Sequence, residues 1–109
     1  VAPIPFPDAS VGVATAFSFL EHVPRVLSVV EPDSADTMWF PFLELMNDVH
    51  RVLIKPGGLF FSSTPSYPWP MAFADPTHVN IMTEETIVHS FASRGYGCAC
   101  LAFQETLCF

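Results

Sequence analysis

Apolar residues crowd three stretches of this chain, and their spacing predicts a different element in each. Residues 11–17 (VGVATAF) are apolar or small at nearly every position, without the polar alternation of a half-exposed strand. Such a run fits a strand covered on both faces, as in parallel sheets. Residues 59–63 (LFFSS) predict a second strand. Between them Phe42, Leu45, Met46, Val49, Val52 and Leu53 recur at helical spacing, with Glu44, Asn47, Asp48 and Arg51 on the other face. Asp48 and Arg51 are in reach of each other there. Pro56, Gly57 and Gly58 stop the helix and turn the chain. Strand, long crossover with a helix, strand predicts a parallel βαβ unit and an α/β fold. Ligands of open parallel sheets sit beyond the carboxyl ends of the strands, which says where chemistry should be sought.

The remaining segments are less regular. Residues 1–10 read as a Pro-rich loop entering the first strand. Pro24, Pro32 and Pro41 break residues 23–41, and the acidic stretch 31–36 predicts an exposed loop. Residues 64–82 form a long loop with Pro65, Pro68, Pro70 and Pro76, a length that usually serves function. Thr83 is placed to cap a helix with Glu84 and Glu85 in its first turn, burying Ile87, Val88 and Phe91 and ending near Gly95. A further strand is expected over residues 98–103.

Two polar loops leave the carboxyl ends of the two expected strands. One carries Ser18, Glu21 and His22; the other carries Asp75, Thr77 and His78. If the strands are neighbours, these groups converge over one sheet edge. A solvated helix start would equally explain Glu21 and His22, and an Asx-type turn with an incidental histidine would explain residues 75–78. Lys55-Pro56-Gly57-Gly58 is no phosphate cradle, since it follows a helix and enters a strand, the reverse of what a cradle needs. His50 and His89 fall on polar helix faces and read as solvated.

Composition narrows the partners. Of 109 residues, half are hydrophobic and 11 are Phe, which excludes a disordered tail and fits a single domain. Four basic residues against 11 acidic ones give a net charge of −7, unsuited to nucleic-acid phosphates or anionic membranes but tolerant of a cationic small molecule. Cys98, Cys100 and Cys108 read as reduced, buried thiols, which points to the cytoplasm. The longest apolar run is too short for a bilayer. The first residue is Val, so the chain is expected to be cut from something longer.

Residues 5–23 (PFPDASVGVATAFSFLEHV) followed by 43–65 (LELMNDVHRVLIKPGGLFFSSTP) resemble the class I S-adenosylmethionine-dependent methyltransferases of the type 11 group. Residues 74–87 (ADPTHVNIMTEETI) look like the Pro-Thr-His-Val stretch of some members. The resemblance implies the C-terminal half of a Rossmann-like domain, without the Gly-rich turn and ribose-binding acid of the first half. It implies S-adenosylmethionine as cofactor, a small-molecule acceptor and methyl transfer. It also implies that Pro5 and Phe6 border the adenine, that Phe17, Ser18 and Glu21 face the cofactor, and that His22 or His78 is the general base. Val11-Gly12 replaces the family's Phe-Asp, Ile54 interrupts Leu-Lys-Pro-Gly-Gly, and residues 29–39 read as an insertion. Some relatives hold a divalent metal through Glu-x-x-Glu-His; Ser18 stands in place of the first Glu, so no metal is expected from the family pattern. The alternative is a non-catalytic remnant or interaction module that self-associates through an open strand edge.

Overall fold

A computed structural model describes residues 2–30, 32, 37–86, 101–102 and 107–108, the last two pairs as backbone. The architecture is mixed α/β. Strand β1 (Val13–Phe17) leads through a 3-10 turn (Leu20–His22) to an antiparallel pair, β2 (Leu27–Val29) and β3 (Thr37–Trp39). Helix α1 (Pro41–Val52) returns the chain to strand β4 (Leu59–Thr64), and a short helix, α2 (Met71–Ala74), lies in the following loop. Strands β5 (Leu101–Ala102) and β6 (Leu107–Cys108) complete a four-stranded sheet of order β1-β4-β6-β5.

β1 and β4 are parallel neighbours, in register from Val13 opposite Leu59 to Phe17 opposite Ser63. β6 joins β4 antiparallel, and β5 joins β6 antiparallel. The expected βαβ unit is therefore present, though the sheet is mixed. α1 runs back against the strands because its six apolar positions need a surface. Phe42, Met46, Val49, Val52 and Leu53 are buried on it, with Leu45 partly so. Leu20 and Met82 close the same core, against Ala14, Ala16 and Phe60 of the sheet. The expected Asp48–Arg51 pair forms on the outer face, at 2.6 Å. His50, expected in solvent, is half-buried.

The two amino ends and the two carboxyl ends of the strands carry different partners. At the amino rim the last turn of α1 takes the incoming chain: Val52 O accepts from Ser10 N and Val11 N, and Ile54 N bonds Val11 O. Gly58 also sits there, tight against the chain that precedes it: an added Cβ would stand 2.5 Å from Ile54 O.

Three expectations change. The run 11–17 predicted burial on both faces, yet Val13 and Phe17 are more than half exposed, and Val11, Ala14 and Ala16 are the members that pack against the core. Nothing among the described residues covers the second face. The segment 23–41 holds a small hairpin, and the loop 64–82 holds α2. Of the helix expected after Thr83, residues 84–86 are helical; Ile87, Val88, Phe91, His89 and Gly95 lie outside the described residues. Cys98 and Cys100 lie outside them too, and the strand expected over 98–103 is described only at β5. Among the described residues, no helix is long and apolar enough to cross a membrane.

Candidate functional site

At the end of β1 the chain makes an abrupt turn. Ser18 takes a left-handed conformation (φ 49°), and its N–H still reaches Ser63 O at 2.8 Å, extending the parallel ladder by one bond. The turn drops Leu20 into the core, 1% exposed, and carries Glu21 inward beside it. Glu21 is buried, with 2% of its surface exposed. Its Oε2 accepts from Thr64 Oγ1 at 2.9 Å, across the carboxyl ends of β1 and β4. Its backbone oxygen accepts from Val79 N and Asn80 N at 2.9 and 3.0 Å. One residue thus ties the first polar loop to both ends of the second.

The second loop is shaped by Asp75. Its Oδ1 accepts from Thr77 N at 2.8 Å and Thr77 Oγ1 at 2.6 Å, an Asx turn that sets the next residue, His78, facing the first loop. These two bonds hold Asp75 below the usual carboxylate range, with His78 and His22 adding smaller contributions. The bland reading of residues 75–78 is thus correct as local structure, and the same turn delivers a histidine to the rim.

The two imidazoles meet edge to face, their centroids 5.0 Å apart. Each is pinned through Nδ1. His22 Nδ1 lies 3.1 Å from Thr77 O, and His78 Nδ1 lies 3.1 Å from Ala72 O. A backbone carbonyl only accepts, so each Nδ1 donates, and in the neutral form of each ring Nε2 is the basic atom left towards the cluster. His22 Nε2 stands 4.0 Å from Glu21 Oε1, beyond hydrogen-bond length. His78 Nε2 stands 3.9 Å from Asp75 Oδ2. Donor atoms of Glu21, His22 and His78 all lie within 4.8 Å of one another.

The rim opens into a cleft of about 670 Å³, walled by Ser18, Glu21, His22, Met71, Asp75 and His78. A second, mainly apolar cavity of about 600 Å³ runs along α1 between Phe19, Leu27 and Trp39, and His22 lies between the two. Ser18, Glu21, His22, Asp75 and His78 therefore come together, with Thr77 bonded beneath them, and Phe17 stands 60% exposed at the same end of β1. Pro5 and Phe6 do not join them. Arg51 holds the Phe6 carbonyl at 2.8 Å, at the end of α1 that borders the amino rim. Sequence reasoning missed Thr64, whose place at the very end of β4 was a readable signal. It also missed Arg25, which donates to Asn80 Oδ1 and to Ile81 O and braces the loop from behind. No periodicity or motif marks Arg25. Compared with known proteins, the chain matches no family model, no curated protein and no solved structure.

Proposed function

We propose that this rim performs methyl transfer from S-adenosylmethionine to a small-molecule acceptor, with the sheet a partial Rossmann-like one. The observation that supports the reading is the meeting of two polar loops over the carboxyl ends of parallel β1 and β4, where α/β sheets bind ligands. The residues fit the cofactor in part. Ser18 lines the cleft, and Phe17 stands exposed at the same end of β1, where an aromatic face and an acidic setting are favourable to the cationic sulfonium end. Glu21 offers only Oε1, because Thr64 occupies the other oxygen. Pro5 and Phe6, at the far rim, are not part of this wall.

S-adenosylmethionine supplies a methyl group that is already activated, so the protein's share is alignment and proton removal. The pinned Nδ1–H of His22 and His78 leaves Nε2 as the basic atom on the cleft side, and a neutral imidazole is suited to take an acceptor's proton near pH 7. Chemical-shift mapping with S-adenosylmethionine tests the reading. Saturable shifts at residues 17, 18, 22 and 78, with Phe6 unmoved, are expected. Absence of saturable binding, or shifts confined to the amino rim, would count against it. A second reading, an interaction module, is favoured by the bare apolar face of β1 and β4, where Val13, Phe17, Leu59 and Phe61 are exposed.

A further inference from the structure

We infer that the apolar cavity along α1 binds a small organic cation, an ammonium group carried on an apolar body, with Glu44 meeting its charge. This site is separate from the cleft over the strand ends, with which it shares only His22, and it does not depend on methyl transfer. Three observations converge. First, four elements wall the cavity. Ile4 comes from the N-terminal segment, Phe19 from the turn after β1, Leu27 and Trp39 from the hairpin, and Leu45 from α1. Hydrogen bonds that involve no occupant hold these walls in place. Arg51 donates to Ile4 O at 2.9 Å, Asp48 accepts from Ile4 N, and Pro24 O accepts from Phe42 N at 3.1 Å. Second, Phe19 and Leu27 are exposed, and Ile4, Trp39 and Leu45 are half-buried. An apolar body in the cavity would take that surface out of water, which is favourable in proportion to the area covered. The volume of about 600 Å³ lies within the roughly 300–1,000 Å³ of pockets that take small molecules.

Third, the charges that face the cavity sort ligands by sign. Glu44 lines it from the first turn of α1, and its carboxylate has no hydrogen bond or ion pair among the described residues. Arg51 lines it too, but Asp48 and Asp8 already meet the guanidinium at 2.6 and 2.9 Å. An anionic ligand would find no unpaired guanidinium or ammonium here, and would face the uncompensated carboxylate of Glu44. A cation finds Glu44 and the rings of Trp39 and Phe19, whose faces attract ammonium groups.

The test is titration of the 109-residue chain at neutral pH with 2-phenylethylammonium, 2-phenylethanol and 3-phenylpropionate, followed by amide and Trp39 indole chemical shifts. The three probes share an apolar body and differ in the charge of the head. Saturable shifts are expected at Phe19, Leu27, Trp39 and Leu45. The ammonium should bind about tenfold tighter than the alcohol, the scale of one exposed ion pair plus one ring contact, and the carboxylate more weakly than either. Glu44→Gln should bring the ammonium down to the affinity of the alcohol and leave the alcohol unchanged. Glu44 has no side-chain partner, so its replacement leaves the fold intact. No saturable shifts around the cavity, shifts confined to Ser18 and His78 at the cleft, or equal affinity for ammonium and carboxylate would overturn the site. So would a preference for the ammonium that survives Glu44→Gln. Loss of the ammonium result with S-adenosylmethionine binding intact removes this inference alone, and the reverse removes only the proposal made for the cleft.

Discussion

Arg51 satisfies four oxygens with one guanidinium: Asp48 Oδ1 at 2.6 Å, Asp8 Oδ1 at 2.9 Å, and the carbonyls of Ile4 and Phe6 at 2.9 and 2.8 Å. Asp48 in turn accepts from Ile4 N. The Arg51 bond first, and the Ile4 N–H second, hold Asp48 below the usual carboxylate range. The sign of the linkage follows. A carboxyl whose folded value is depressed stabilises the fold above its unfolded value, about pH 3.9, and that contribution is lost as pH falls through the folded value. Asp48→Asn should therefore lower the thermal midpoint at pH 7 and flatten its fall between pH 4 and the acid limit, as melts across that range would show. An unchanged acid profile would mean that Asp48 does not anchor the N-terminal segment. Glu21 and His22 show the limit of reading residues singly. Their identities were visible in the chain, but the groups that fix them come from distant parts of it: Thr64, 43 residues on, bonds Glu21 Oε2, and the Thr77 carbonyl, 55 residues on, faces His22 Nδ1.

At the scale of elements, the Pro-Gly-Gly joint does what a phosphate cradle would not. It seats β4 against the end of α1, with Gly58 N bonded to Ile54 O at 3.0 Å. A Cβ at Gly58 would stand 2.5 Å from Ile54 O and 3.0 Å from the Leu53 Cβ, both of them parts of the frame with little room to move. Gly58→Ala is expected to cost about 1–3 kcal/mol, the scale of a forced backbone shift in a packed region, measurable by urea unfolding. A neutral result would mean that the joint flexes. Gly57 adopts φ 101° and turns the chain just before it.

α1 and the β1–β4 pair were legible because their apolar spacing is long and regular. The β2–β3 hairpin was hidden because three-residue strands carry too little alternation to register, and prolines on either side mimic a loop. α2 was hidden for the same reason, being four residues between Pro70 and Asp75. The convergence of the two polar loops was legible once the strands were read as parallel. Thr64, Asn80 and Arg25, which hold it in place, were not, because their roles depend on which backbone atoms the fold brings near.

For the whole molecule, the described residues pair β1 with β4 on one side only. The sheet face bearing Val13, Phe17, Leu59 and Phe61 is apolar and open. An unpaired edge beside such a face favours association. Sedimentation velocity should show concentration-dependent oligomers that Val13→Lys, a charge set on that face, shifts towards monomer. A chain that stays monomeric at all concentrations would remove the interaction-module reading. The same topology makes the site, since parallel β1 and β4 are what bring residues 21–22 and 78 to one rim. Proton NOE spectroscopy on the two histidine rings tests this most directly. With centroids 5.0 Å apart, His22 and His78 ring protons should show a direct cross-peak; its absence, with both rings assigned and sharp, would place the two loops apart and contradict the account.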